Sequence, residues 1–348
     1  MAITGVQRYA RELTIRLPNA LGESVELISP GEPRRSIASD ARAVLLNPAS
    51  SRWSGIPGHL WEQTLLPARF RASSAEILVN LANWAPLLVS RQVIAVLDLA
   101  PIKLPEYFSA SYRRFIDVVQ RRAAVRADRV ITLSEATRSE ISAEFGITAG
   151  KIDVVPPGVG SPFAQAGREL ASTERPAEFC LFVGGHDRRK NLDFLMGFWP
   201  QVHKKAGLKL IVVERGHSRP HAQTRSVATT GVEMRLDPSD AELLELYDNA
   251  LCLLSPSLYE GYGLPLLEAM ARGTPFISSD TGAARELAAE PEKQVLPLKA
   301  SRWIATIEDW SSSFPSGLST RLGQLAEEHT WERSATLLAG SIREALRS

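Results

Sequence analysis

The sequence predicts an α/β protein of two domains, each a parallel sheet covered by helices on both faces. Three observations predict it. Short apolar runs of strand length alternate with segments of helical period, as in a parallel sheet whose strands are joined by crossover helices. The alternation halts near residue 160 and restarts near 178, across a stretch rich in Ala, Gly and Pro. The length, 348 residues, is more than one hydrophobic core ordinarily organises.

Taken in order, Val6, Tyr9, Leu13 and Leu17 recur at helical spacing over residues 6–17, with Thr4 and Gly5 before them as a loop-to-helix start requires. The same spacing makes Tyr9 a core residue rather than a ligand. A glycine opening a helix in an α/β domain normally follows a strand. Almost nothing precedes this one, so the first N-terminal strand is expected to be missing. Strands are expected over 25–29 (VELIS), 75–81 (AEILVNL), 92–99 (QVIAVLDL) and 129–134 (RVITLS), with a helix over 109–128. KIDVVPPGVG, residues 151–160, is a closing strand followed by a Pro/Gly break, which bounds an N-terminal domain at 1–160 and a linker at 161–177. The second series has strands within 178–185, 208–214, 251–257 and 274–280 and helices over 240–250 and 265–273, giving a C-terminal domain at 178–325. Residues 326–348 are expected to form a C-terminal helix that packs back on the N-terminal domain.

At 44% hydrophobic and 23% charged, the chain has an ordinary globular composition. A formal net charge of +1 creates no overall field, and no nucleic-acid partner is expected. The first 160 residues hold 19 Lys/Arg against 15 Asp/Glu and the remainder 21 against 24, a tilt that fits an anionic membrane surface or plain scatter equally. Six arginines over 113–129 fit a solvated helix face first and anionic lipid second. No apolar stretch approaches the ~20 residues that span a bilayer, and the N-terminus lacks the apolar core of a signal peptide. A cytoplasmic protein, at most peripheral to the inner membrane face, is expected. Cys180 and Cys252 lie in apolar runs and are expected to be buried, unpaired hydrophobes.

The chemistry concentrates in SPSLYEGYGLPLLEAMARGTPFISSD, residues 255–280. Glu260 sits in a strand-to-helix loop with Gly261 and Gly263, and Pro265 suits the first helical turn that Leu264 opens. Glu268 falls one turn in. Ligands of open parallel sheets bind at the carboxyl ends of strands. Glycines let a ligand approach the backbone, and the helix start offers N–H donors and a positive dipole end to phosphate. A carboxylate one turn in can accept hydrogen bonds from ribose, and one in the loop can reach a sugar. A second loop, GGHDRRKN at 184–191, follows a strand and brings Gly184, Arg188, Arg189 and Lys190, cations able to neutralise a diphosphate. Asn191 is placed to cap the next helix.

Glu260 and Glu268, with seven residues between them, resemble the E-x7-E motif of retaining GT-B glycosyltransferases of family 4, among them bacterial polysaccharide mannosyl- and rhamnosyl-type enzymes. The likeness extends to TGVQRYAREL, PEYFSASYRR, RADRVITLSEATRSEI, KIDVVPPGVG and FVGGHDRRKNLDFL, and so covers most of the chain. It implies two Rossmann-like domains with parallel sheets facing a central cleft. It implies transfer of a hexosyl group from a nucleoside-diphosphate sugar to a hydroxyl of a saccharide or lipid-linked saccharide, with retention. In that scheme Lys190, aided by Arg189 or Arg188, meets the pyrophosphate, Glu268 holds the ribose and Glu260 orients the sugar. Gly184, Gly261, Gly263 and Leu264 complete the donor side, and the Gly5 backbone faces the donor phosphates. No cofactor beyond the co-substrate is implied. The sequence holds no D-x-D triad, which in the other large glycosyltransferase fold commonly binds a metal.

Two departures stand out. Many relatives carry a basic residue after the first glycine of the phosphate loop, where this chain has Gly185. Relatives often show His-Asp at the end of a central N-domain strand, where this chain has Leu97 and Asp98. Leucine cannot hydrogen-bond to donor or acceptor. Asp98 fits an acceptor-side role or a structural strand-end role. Trp84, after Asn83, fits stacking against an acceptor sugar or packing under a loop. His186 is a further candidate for phosphate or sugar contact. His217 and His221 have metal-ligand spacing, but Pro220 makes their segment a loop. Two other functions stand beside the transferase: a catalytically impaired relative serving as a partner subunit, and a nucleotide-sugar epimerase.

Overall fold

A computed structural model describes residues 5–22, 24–28, 35–36, 41–46, 56–164, 177–184, 187–214, 229–315 and 317–348 of the chain. The chain forms two compact units, Thr4–Gly158 together with Thr330–Ser348, and Val159–His329.

The first unit holds β1 (Ser24–Ile28), β2 (Arg35–Ser36), β3 (Ala41–Leu46), β4 (Ile77–Asn80), β5 (Gln92–Ala95), β6 (Arg129–Thr132) and β7 (Ile152–Val154). They form one sheet in the order β2-β1-β3-β4-β5-β6-β7, parallel except for the β1–β2 pair. Every residue of β4 and β5 is buried, as strands covered on both faces require. The first described element is the helix Gly5–Leu21, which continues past the predicted end and through Pro18. Residues 1–4, where a preceding strand was at issue, lie outside the described residues.

The helix Trp331–Arg347 closes this unit. Trp331 meets Tyr9 edge-on with ring centroids 6.0 Å apart. The hydroxyl of Ser334 donates to the Pro156 carbonyl at 2.6 Å, and Arg343 donates to the Ala20 and Leu21 carbonyls. Gly158 is fixed by this crossing, because a Cβ there would lie 2.2 Å from the Trp331 nitrogen. Tyr9 is buried and donates to the Val155 carbonyl at 2.9 Å, and burial pushes its phenol pKa well up.

The second unit holds β8 (Phe179–Val183), β9 (Lys209–Glu214), β10 (Val232–Leu236), β11 (Leu253–Ser255) and β12 (Phe276–Ser278). All are parallel, in the order β10-β9-β8-β11-β12. The chain winds outward from β8 to β10, then returns to place β11 on the other side of β8. The strand order therefore reverses between β8 and β11. In an open α/β sheet that reversal parts the loops at the carboxyl ends and leaves a ligand site between them. Cys180 on β8 and Cys252, just before β11, are free and buried with sulfurs 3.8 Å apart. Burial comes first, and the neighbouring Cys180 second, in pushing the Cys252 thiol pKa well up.

Candidate active site

Two loops meet at the reversal point, one after β8 and one after β11. The first runs through a short turn, Arg188–Lys190, to Asn191, where the helix Leu192–Ala206 begins. Asn191 does not cap this helix with its side chain. Its backbone is left-handed (φ +57°), and its amide donates across to the Pro256 carbonyl at 3.1 Å. The Leu258 N–H donates to the Arg189 carbonyl at 2.7 Å. These two bonds fasten one loop to the other.

On that frame Lys190 Nζ donates to Glu260 Oε1, joining side chains 70 positions apart. The pair is mostly buried, with 23% and 15% of the two side chains exposed, so its charges act in a medium less screening than water. Ser257 donates to the same oxygen at 2.7 Å. Both bonds fall on Oε1, which leaves Oε2 to receive a ligand hydroxyl. Gly184 lies against Lys190, whose Cγ would be 3.1 Å from a Cβ at that position.

Arg189 is turned to Asp187, which accepts from Nε at 3.1 Å and from Nη2 at 2.5 Å. Burial opposes the Asp187 charge, but the hydrogen bonds and charge of Arg189, with Lys190, prevail and hold its carboxyl below the ordinary value. The Arg189 charge is therefore compensated within its own loop, whereas that of Lys190 is paired across to Glu260.

Gly263 takes φ +98° at the start of the helix Leu264–Ala271, a conformation that favours glycine. Gly261 precedes it. Glu268 is 9% exposed in that helix, and Tyr247 donates to its Oε2 at 3.1 Å. Arg272, at the end of that helix, grips Asp248 through two bonds of 2.8 Å, so the helix Asp240–Asn249, which carries Tyr247 and Asp248, is tied to it twice.

The candidates in the other unit are placed differently. Gly5 is the exposed first residue of its helix. Leu97 is 2% exposed and belongs to the apolar core with Tyr9, Val93, Ala95 and Trp331. The Asp98 carboxylate accepts from the Ala100 N–H at 3.1 Å and from Asn83 at 3.4 Å, a strand-end brace. The Trp84 ring packs edge-on to His59, centroids 4.6 Å apart. Gly185, His186, His217 and His221 lie outside the described residues. No group of His, Cys, Asp or Glu among the described residues is arranged to hold a metal.

Sequence reasoning missed four site residues. Tyr247, Ser257 and Asp187 act on the expected charges through single side-chain contacts that no spacing announces. Gly282 was missed because its role is an approach: a Cβ there would lie 2.3 Å from the Glu260 carbonyl oxygen.

The family described as Glycosyltransferase Family 4 matches residues 3–160, and Glycosyl transferases group 1 matches residues 177–310. The chain belongs to the family 4-type GT-B glycosyltransferases. Within that family it is similar to the D-inositol 3-phosphate glycosyltransferase of Segniliparus rotundus, 27% identical over 66% of this chain and 55% of that protein. It is also similar to the O-antigen chain mannosyltransferase RfbU of Salmonella typhimurium, 27% identical over 64% and 61%. The chain thus spans little more than half the length of these curated relatives. In fold it is similar to WaaG, a glycosyltransferase involved in lipopolysaccharide biosynthesis, with a TM-score of 0.69 at 14% identity over 98% and 97% of the two chains.

Proposed function

We propose that this glycosyltransferase moves a hexosyl group from a nucleoside-diphosphate sugar to a hydroxyl of a saccharide or lipid-linked saccharide, with retention at the anomeric carbon. The observation that carries the proposal is the Lys190–Glu260 pair spanning the two loops at the strand-order reversal. One partner suits a diphosphate and the other a sugar hydroxyl, and donor diphosphate and donor sugar are adjacent in one molecule.

In this reading the diphosphate lies at the start of the helix Leu264–Ala271, where N–H donors and the dipole favour negative charge. Lys190 and Arg188 neutralise the departing diphosphate, which places leaving-group stabilisation on side chains rather than on a metal. Lys190 has three N–H donors, so it can keep Glu260 while gaining a phosphate oxygen. Glu268, steadied by Tyr247, accepts from the ribose hydroxyls. Glu260 accepts a sugar hydroxyl on Oε2. The acceptor hydroxyl attacks from the face the diphosphate leaves, and the departing phosphate takes its proton.

No helix among the described residues is long and apolar enough to cross a membrane. The proposed setting is the cytoplasmic side of a membrane, where a lipid-linked acceptor is met at the surface.

The test is incubation of the full chain with UDP-, GDP- and dTDP-hexoses, following nucleoside-diphosphate release and the anomeric configuration of the product by NMR. Release by wild type, a retained configuration, and strong loss in Glu260→Gln are expected. An inverted product would overturn retention. Release equal in wild type and Glu260→Gln would overturn the site. Conversion of donor to an epimer without release would favour the epimerase reading.

A further inference from the structure

Nine buried side-chain polar atoms among the described residues of the first unit have no hydrogen-bond partner, and three of them, His59 Nδ1, Glu62 Oε2 and Trp84 Nε1, belong to one cluster. The His59 ring is 4.6 Å from Trp84 and 4.7 Å from Phe115 between centroids, and its Nδ1 is 3.7 Å from Glu62 Oε2. That last distance is beyond hydrogen-bond reach, so the pair does not satisfy itself. Glu62 is 8% exposed. Native proteins keep only a few such atoms per hundred residues, and three gathered in one cluster beside aromatic rings call for something that pairs with them.

Their place in the fold indicates what. Trp84 follows β4 at its carboxyl end. His59 and Glu62 occupy the first two turns of the helix Ile56–Arg71, the next helix after the carboxyl end of β3. Phe115 is in the first turns of the helix Ala110–Arg126, which follows the carboxyl end of β5. All four residues therefore gather at the sheet edge where open α/β folds bind ligands. The frame around them is built. Gln63 donates to the Ala85 carbonyl and accepts from the Leu87 N–H, each at 3.1 Å, which pins the loop carrying Trp84 to the helix. Asn83 accepts from the Leu97 N–H at 2.6 Å, which pins the other end.

We propose that His59, Glu62 and Trp84 form a subsite for a hexopyranosyl residue of the acceptor. Glu62 accepts from one ring hydroxyl, the Trp84 N–H donates to a neighbouring one, and Phe115 covers the apolar C–H face. His59, with 21% of its side chain exposed, covers the carboxylate and turns outward as the sugar enters. The class of ligand follows from the atoms on offer, one acceptor, one donor and one group of either kind beside aromatic rings, which match vicinal hydroxyls and include no lysine or arginine for an anionic ligand. The inference rests on the transferase reading above and adds where the acceptor is held.

The test uses the full chain with methyl α-D-mannopyranoside, methyl α-D-glucopyranoside and methyl β-D-galactopyranoside, titrated by saturation-transfer NMR. A parallel titration with UDP, GDP and dTDP reads the donor site by thermal shift. At least one glycoside is expected to bind wild type, with Kd raised about tenfold, about 1.4 kcal/mol, in Glu62→Gln and in Trp84→Phe. The nucleoside-diphosphate shift is expected to be unchanged in both. Glycoside binding that is absent from wild type, or equal in wild type and both variants, overturns the subsite. Loss of both readouts together in both variants places these side chains in the fold and also overturns it. Failure of every nucleoside diphosphate on wild type sinks the donor reading instead, and the glycoside titration still stands or falls on its own result.

Discussion

Gly282 carries no chemistry, yet alanine there should disable the donor site. Its backbone has φ +51°, and a Cβ would lie 2.3 Å from the Glu260 carbonyl oxygen, 3.0 Å from the Glu260 carbonyl carbon and 3.2 Å from that of Gly261. Each obstacle is backbone, so no side chain can turn aside. Reaching even a 3.0 Å contact requires one loop to retreat by about 0.7 Å. The retreat moves Glu260 against Lys190 and Ser257. Misplacement of about 1 Å at a positioning element costs on the order of 100-fold in rate. A donor kcat/KM reduced about 30- to 100-fold corresponds to about 2–2.7 kcal/mol of lost transition-state stabilisation. The left-handed backbone adds about 1–2 kcal/mol of instability for alanine, which lowers Tm by a few degrees. Gly340→Ala is the control, since a Cβ there meets nothing within 4 Å and the site is helical. It should gain about 0.5–1 kcal/mol and keep full activity. Nucleoside-diphosphate release is the assay. A Gly282→Ala enzyme within about threefold of wild type would refute the reasoning.

Two further outcomes are expected. Leu97→His should fail to restore the relatives' histidine chemistry, because this side chain lies in the apolar core and not on a surface. Burying an imidazole there costs about 1–3 kcal/mol, read as a lower urea midpoint, and a more active, equally stable variant would contradict it. Asp248→Ala should strand the Arg272 guanidinium, whose side chain is 2% exposed, at a cost of about 3–5 kcal/mol in denaturant unfolding. A loss below about 1 kcal/mol would mean that water reaches the arginine.

The fold class was legible because buried parallel strands are continuous apolar runs, and ILVN and FCLFV announce themselves. Other elements hid for identifiable reasons. The helix Ile56–Arg71 contains Gly58 and Pro67 and shows no clean apolar period. β10 lies at the sheet edge with Met234 and Leu236 exposed, so its residues do not alternate between core and solvent. QVIAVLDL was expected to be one strand over 92–99, but the ladder with β4 and β6 ends at Ala95. Beyond it the Leu97 N–H turns to the Asn83 side chain as the chain leaves the sheet. Local pattern contains no signal for where a neighbouring strand stops. The same limit governs the site. The two glutamates and the basic turn were visible as types at a spacing. That Lys190 would choose Glu260 while Arg189 chose Asp187 depends on two loops being fastened side by side, which is a tertiary fact.

The central claim is that Lys190 meets the diphosphate of a nucleotide donor. The most direct measurement is calorimetric titration of UDP, GDP and dTDP into wild type and Lys190→Ala. One nucleotide should bind wild type. Loss of a charged hydrogen bond worth about 1.5–3 kcal/mol should raise its Kd about 10- to 150-fold in the variant. Equal affinity in the two proteins, or no affinity in wild type for any of the three, would contradict the account.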